Sequence, residues 1–300
     1  MNTAITPDLL RTMPLPAPGE DKDQRGRVLI AGGNRAVTGA ALLSAEAALR
    51  AGAGKLQVAT GRSAALGLAL LLPEALVMGL PETEDGDLGP DAAEALAKAA
   101  GRTNALLLGP GMMDRAAAMA LVEAVLGQLD PAHTPALVLD AGALCGHAAL
   151  RDALRPHAGR AVLTPHAGEM ATILDVGRAE VEADPLAAGR RAAALLQQVV
   201  IMKGARTAVV SPEGEAWEYA GGVVGLATSG SGDVLAGILA GLLARGASPA
   251  QAACWAVWLH GEAGLSLARR IGPIGFLARE LAAEVPRVMA GALEGGLNGR

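Results

Sequence analysis

Short apolar runs that stop at glycine or at a polar loop recur along this chain, and their recurrence restricts the fold more than any other feature. Arg27–Gly32 (RVLIAG), Lys55–Thr60, Asn104–Leu108, Ala136–Leu139, Arg160–Leu163 and Val199–Met202 have the length and composition of buried strands, and Ala75–Met78 reads as a shorter one. Between them lie helical patterns at Ala40–Arg50, Arg62–Leu72, Pro90–Ala100 and Arg115–Leu129, the first closed by Gly52 where a C-terminal glycine cap belongs. Strand, glycine-rich loop, helix, strand is a βαβ unit. So long an alternation predicts an α/β fold: a mostly parallel central sheet with helices on both faces, three layers in all. Val209–Ser211 and Ala216–Tyr219, around PEGE, predict a hairpin at the sheet's far edge. Asp233–Arg245, Pro249–Arg269 and Phe276–Met289 read as helices. Residues 1–26 read as an N-terminal leader, with a short helix near Thr6–Met13 and a Pro-rich connection, ahead of one domain at 27–300.

Composition narrows the class. Apolar residues make up 51% of the 300, but aromatics only 2%, so the core must be built from Ala, Leu and Val. A net charge of −5 without a basic block argues against nucleic acid as a partner. Cys145 and Cys254 have no metal-like spacing. The N-terminus lacks the apolar centre of a signal peptide, and the longest apolar run, Ala64–Leu80, is broken by Pro73 and Glu74. A soluble, cytoplasmic protein without a membrane partner is the expectation.

In open parallel sheets, ligands bind beyond the carboxyl ends of the strands. The loops there read GGNRAVTG, GPGMMD, DAGAL, TPHAGEM and KGART, joined by TSGSGD before a late helix. Neither a Walker A loop nor a GxGxxG fingerprint is present. The stretch Leu226–Gly246 is the most informative. Its glycines and the helix start that follows make an anion site. Asp233 sits beside that site, where a carboxylate would repel phosphate unless a cation or a transferable proton is involved. As a plain helix-start acid it would contribute about 0.3–1 kcal/mol. His166 stands between a ligand-binding and a structural role. Glu169 reads as a helix-capping acid or as an acid acting on a metal through water. Asp140 reads as an indirect metal ligand or a turn residue, and Lys203 as a phosphate partner. His133, His147, His157 and His260 lack such settings, and Trp255 and Trp258 read as core or interface.

Taken together and in this order, GGNRAVTGAALLSAEAALRAGAG (32–54), LLLGPGM (106–112), LVLDAGAL (137–144), LTPHAGEM (163–170), IMKGARTAV (201–209) and TSGSGDVLAGILAGLLARG (228–246) resemble the ADP- or ATP-dependent NAD(P)H-hydrate dehydratases of the ribokinase-like superfamily. GSGD alone is shared across the superfamily; PHAGEM with KGART and GSGDVLAG is specific. The resemblance implies a ribokinase-like three-layer fold and a lyase that repairs NADHX and NADPHX, the hydrated cofactors, acting on the S epimer. ADP, in preference to ATP, would phosphorylate the added hydroxyl, and phosphate would then leave. It implies Asp233 as general base. Ala40, Ala41, Gly111, His166 and Asp233 would line the hydrated-dinucleotide site. Lys203, Gly204, Ala205, Arg206, Thr207, Gly230, Ser231 and Gly232 would hold the nucleotide, with Mg²⁺ held indirectly through Asp140 and Glu169. A homo-oligomer, a tetramer foremost, and a separate epimerase working on the same pool complete the expectation.

The chain departs from the family pattern in three places. Ser231 stands where GTGD is usual, and Val37 where many members carry an aromatic. Residues 1–26 are far too short for the epimerase domain fused to many bacterial members. The competing readings are a vitamin or sugar kinase of the same superfamily, such as a hydroxyethylthiazole kinase, and a non-catalytic nucleotide-binding protein.

Overall fold

The computed structural model describes residues 2–294. Its strands are β1 (Thr3–Ala4), β2 (Arg27–Ala31), β3 (Lys55–Gly61), β4 (Ala75–Leu80), β5 (Ala105–Leu108), β6 (Ala136–Leu139), β7 (Ala161–Leu163), β8 (Val199–Met202), β9 (Thr207–Val210) and β10 (Ala216–Tyr219). Its helices are α1 (Pro7–Thr12), α2 (Thr38–Arg50), α3 (Arg62–Leu71), α4 (Ala93–Ala100), α5 (Arg115–Leu126), α6 (His147–Leu154), α7 (Ala167–Leu174), α8 (Arg178–Ala183), α9 (Pro185–Leu196), α10 (Ser231–Ala244), α11 (Pro249–Arg270) and α12 (Ala278–Glu294). One sheet holds all the strands in the order β1-β10-β9-β8-β7-β6-β5-β2-β3-β4.

From β2 the chain winds outwards through β3 and β4, then returns to β2's other side and winds the opposite way through β5, β6, β7 and β8, all parallel. The reversal leaves a crevice at the carboxyl ends of β2 and β5, the topological switch point where such sheets take ligands. β9 is antiparallel to both neighbours. The expected hairpin is therefore present but is not the edge: β1 pairs in parallel outside β10, through Thr3 with Trp217 and Ala4 with Glu218. The two-residue β1 is too short to carry a strand pattern in the sequence.

Side chains alternate across the sheet with period two. Val28, Ile30, Leu107, Val138 and Ile201 face one core, against α2, α10, α11 and α12. Leu29, Leu106, Leu108, Leu137, Leu139 and Val200 face the other, against α4, α5, α6, α7 and α9. These are the predicted three layers. α10 is apolar all round because it lies inside the first core, on the sheet, flanked by α2 and α11 and covered by α12. Gly237 and Gly241 let the α10 and α2 backbones meet: an added Cβ would fall 2.2 Å from the Ser44 carbonyl oxygen and 2.5 Å from that of Ala48.

Residues before β2 join the same body. Thr6 caps α1, Leu10 is buried, and the Trp255 indole N–H donates to the Met13 carbonyl at 2.7 Å. Trp255 and Trp258 are core residues, packed edge to face. No helix of the described residues is long and apolar enough to cross a membrane. Residues 295–300 of the expected domain lie outside the described ones.

Candidate active site

α10 begins at Ser231, two residues earlier than its apolar pattern indicates, because Gly230 takes the left-handed conformation (φ +87°) and turns the loop into the helix. A Cβ on Gly230 would also meet Leu43 at 2.5 Å and Ala278 at 3.2 Å, so glycine is required twice over. With glycine at the cap, no side chain closes the helix end. Among the described residues the N–H groups of Gly232 and Asp233 meet no acceptor. Unpaired donors and the positive end of the helix dipole therefore face one place, as an anion site requires. The Ser44 hydroxyl donates to the Asp233 carbonyl at 2.9 Å, tying this turn to α2.

The ends of β6, β7 and β8 bring the charged residues to the same turn. Lys203 follows β8, and its Nζ donates to Asp140 Oδ1 at 3.0 Å and lies 3.7 Å from Glu169 Oε2. A Cβ on Gly232 would lie 3.6 Å from that Nζ, which places the ammonium over the glycine loop. Asp140, only 2% exposed, also accepts from the Thr164 hydroxyl at 2.5 Å. His166 and Glu169 form a reciprocal cap on α7: Nδ1 of His166 accepts from the N–H groups of Gly168 and Glu169, and Glu169 accepts from the His166 N–H at 2.8 Å. The capping role expected for Glu169 is thus realised, and the histidine takes the N-cap position. Its ring stays exposed.

Charge at this site is out of balance. Three carboxylates, Asp140, Glu169 and Asp233, act on one ammonium. Burial, then the nearby Asp140 and Glu169 charges, push the Asp233 carboxyl up to about 7, with Lys203 pulling the other way. Burial works to lower Lys203, but Asp140, Glu169 and Asp233 outweigh it and hold its ammonium above the usual lysine range. A carboxyl that half-ionises near neutrality, next to unpaired N–H donors, can take a proton from a hydroxyl group.

The other expected residues divide. The loops after β2 and β5 meet at the switch point, where the Gly33 N–H donates to the Pro110 carbonyl at 2.7 Å. Gly111 (φ +70°) sits so close that a Cβ there would lie 2.9 Å from Ala40 Cβ. Ala40 and Gly111 therefore share one wall. Ala41 is fully buried in the core one residue further along α2. Gly204, Ala205 and Arg206 are exposed in the β8–β9 turn. Arg206 is paired there with Glu218, Nε to Oε1 at 2.7 Å, and the Thr207 hydroxyl donates to the Gly204 carbonyl at 3.2 Å. Among the described residues no three His, Cys, Asp or Glu side chains are placed to hold a metal ion directly, and Asp140 and Glu169 lie against Lys203.

Sequence reasoning missed two residues. His260 on α11 lies 2.9 Å from the Ser231 hydroxyl and 3.0 Å from the Ser231 carbonyl. Its only signal was a polar side chain in the apolar run AACWAVWLHG. Asp87, 1% exposed, joins the two switch-point loops by accepting from the Asn34 amide and the Met113 N–H, both at 2.8 Å. His157 is buried and structural, bonded to Thr134 and Leu126. A cavity of about 600 Å³ between α1, α11 and α12, lined by Arg11, Trp258 and Arg287 among others, includes none of the cluster around Asp233. The chemistry lies with the cluster.

Comparison with known proteins places the chain in a family. The family model described as NAD(P)H-hydrate dehydratase matches residues 28–287. An ADP-dependent (S)-NAD(P)H-hydrate dehydratase of Xanthomonas campestris pv. campestris is 50% identical over 286 residues, 95% of each chain. The bifunctional NAD(P)H-hydrate repair enzyme of Moorella thermoacetica is 40% identical over 88% of this chain but 49% of its own, so the chain spans about half the length of that relative. The ADP/ATP-dependent NAD(P)H-hydrate dehydratase of Bacillus subtilis, co-crystallised with ATP and Mg²⁺, superposes with a TM-score of 0.80 at 28% identity, covering 97% of this chain and 99% of that one. A ribokinase-like superfamily protein of Enterococcus faecalis gives the same score and identity over 97% and 96%. The chain belongs to the NAD(P)H-hydrate dehydratase family.

Proposed function

We propose that the protein is an ADP-dependent lyase that returns the S epimer of NADHX or NADPHX to NADH or NADPH, a repair of the nicotinamide cofactor. The observation that carries this reading is the Asp233 carboxyl, raised to about 7, in the first turn of an uncapped helix beside Lys203. Asp233 takes the proton of the ring hydroxyl as that oxygen attacks the terminal phosphorus of the nucleotide. The N–H groups of Gly232 and Asp233 and the Lys203 ammonium stabilise negative charge on the transferring group. AMP leaves from ADP. Phosphate, a far better leaving group than hydroxide, then departs with a ring proton to restore the dihydropyridine.

The nucleotide lies along Lys203, Gly204, Ala205, Arg206 and Thr207 and over Gly230, Ser231 and Gly232. The hydrated ring rests against Ala40, Gly111 and His166, within reach of Asp233, while Ala41, fully buried, backs that wall from the core and does not touch the ring. The surplus of carboxylate charge suits a divalent cation brought in with phosphate: Asp140 and Glu169 would hold Mg²⁺ through water, and the ion would neutralise phosphate charge. The protein works in the cytoplasm as a homo-oligomer, a tetramer foremost, on a pool shared with a separate epimerase. Residues 27–300 act as the catalytic domain. Coupled absorbance at 340 nm with NADHX and either ADP or ATP tests the proposal. Recovery of NADH is expected, faster with ADP; no recovery with either nucleotide would sink it.

A further inference from the structure

His260 comes from α11, on the far side of α10 from the switch-point loops, yet its Nε2 touches two atoms of one residue in the anion loop. It lies 3.0 Å from the Ser231 carbonyl oxygen and 2.9 Å from the Ser231 hydroxyl. A carbonyl oxygen can only accept, so Nε2 must be the protonated nitrogen. That assignment decides what the hydroxyl can do. With the ring proton directed at Ser231, the hydroxyl oxygen is an acceptor on that side and keeps its own proton for another partner. Among the described residues the hydroxyl has no other bond. Ser231 is 5% exposed and stands between the left-handed Gly230 and the unpaired N–H of Gly232. The free hydroxyl proton therefore lies where the other loop donors gather.

We propose that His260 is a positioning residue for phosphoryl transfer: its Nε2–H, held by the Ser231 carbonyl, fixes the first turn of α10 and turns the Ser231 hydroxyl proton towards the phosphoryl oxygen. The inference rests on the dehydratase reading and adds a side-chain donor to a site otherwise described by backbone donors and Lys203. Burial, reinforced by the Lys203 charge, lowers the His260 ring to about 4, so it stays neutral in the working range and keeps the single ring proton that the arrangement needs. No bond forms or breaks at His260. Its part is to remove the alternative in which Ser231 spends its proton on the imidazole.

Steady-state kinetics with NADHX and ADP, read at 340 nm, test the idea on six proteins: wild type, His260→Leu, His260→Gln, Ser231→Ala, Ser231→Thr and the double variant Ser231→Ala/His260→Leu. Glutamine carries an N–H near the place of Nε2 and threonine keeps the hydroxyl. His260→Leu and Ser231→Ala are each expected to lower kcat about 10- to 100-fold, because each removes one oriented donor. KM for ADP should move by less than about threefold, because a donor felt mainly in the transition state leaves ground-state binding alone. The double variant should be no worse than the poorer single, and glutamine and threonine should restore most of kcat. The role is overturned if Ser231→Ala keeps wild-type kcat, if the two losses multiply, or if glutamine does no better than leucine. Should His260→Leu lose its fold by circular dichroism, Ser231→Ala against Ser231→Thr decides on the same terms. A wild-type protein with no turnover on either nucleotide would instead overturn the dehydratase reading beneath it.

Discussion

Asp233 is the residue on which the proposed chemistry turns, and its titration gives separate expectations for activity and for stability. The base must be ionised, so kcat/KM should rise with pH through about 7 and level off above it. Stability should run the other way. The folded carboxyl binds its proton more tightly than the ordinary 3.8, so between pH 4 and 7 the native state holds more protons than the unfolded chain. The stability this one group contributes is then fullest below pH 4 and is lost as pH rises through 7. Asp233→Asn should flatten that fall and raise stability at pH 8 by on the order of 2–4 kcal/mol, measured by urea unfolding across pH. The same variant should keep ADP binding by calorimetry and lose about 10²- to 10⁴-fold in kcat; unchanged turnover would remove Asp233 as the base. Gly232→Val should fold, because a Cβ there meets only the end of Lys203 at 3.6 Å, but should not bind ADP, since the side chain stands in the phosphate's place. Most of this site was legible as single residues, since Asp140, Glu169, Lys203 and Asp233 each sit in a glycine-bearing loop. Their pairing was not, because nothing in the sequence states that Lys203 reaches Asp140 across two strand ends. His260 was illegible for a related reason: a histidine inside a helix has no local feature that names its partner 29 residues earlier.

At the scale of the elements, the packing of α10 on α2 fixes the site. The first turn of α2 carries Ala40 beside Gly111, on the side proposed for the hydrated ring, and the first turn of α10 follows the glycine loop. Backbone contact at Gly237 and Gly241 sets the spacing between them. Gly237→Ala places a methyl 2.2 Å from the Ser44 carbonyl, so the helices must part. Overpacking of this kind costs about 1–3 kcal/mol. Because Ser44 also holds the Asp233 carbonyl, kcat should fall with stability in Gly237→Ala; unfolding and kinetics measured on the same preparation would show whether the two move together. The strands and long helices followed from period and punctuation. Boundaries slipped where backbone conformation decides them. Gly230's positive φ starts α10 early; α5 stops at Leu126, short of the expected Leu129, although its C-cap Gly127 is still right-handed helical.

For the whole molecule, the run of parallel strands brings the loops after β2, β5, β6, β7 and β8 to one end of the sheet, and that much was readable from the alternation. The closure of the far edge was not, because two residues of β1 carry no pattern and their partner lies near residue 217. Deleting residues 2–13 should lower the melting temperature measurably, since it uncovers β10 and removes the carbonyl that the Trp255 indole uses, while the Asp233 cluster keeps its partners. The pairing of β1 with β10 also bears on how the chain is made. Among the described strands, β1 pairs with β10 alone, more than 200 residues later, so Thr3 and Ala4 are made well before the edge they join. Contacts of such long sequence separation form late. In pulse-labelled refolding, the Ile5 amide, which donates to the Glu218 carbonyl, should be among the last to gain protection from exchange, after β2, β3 and β5 have joined.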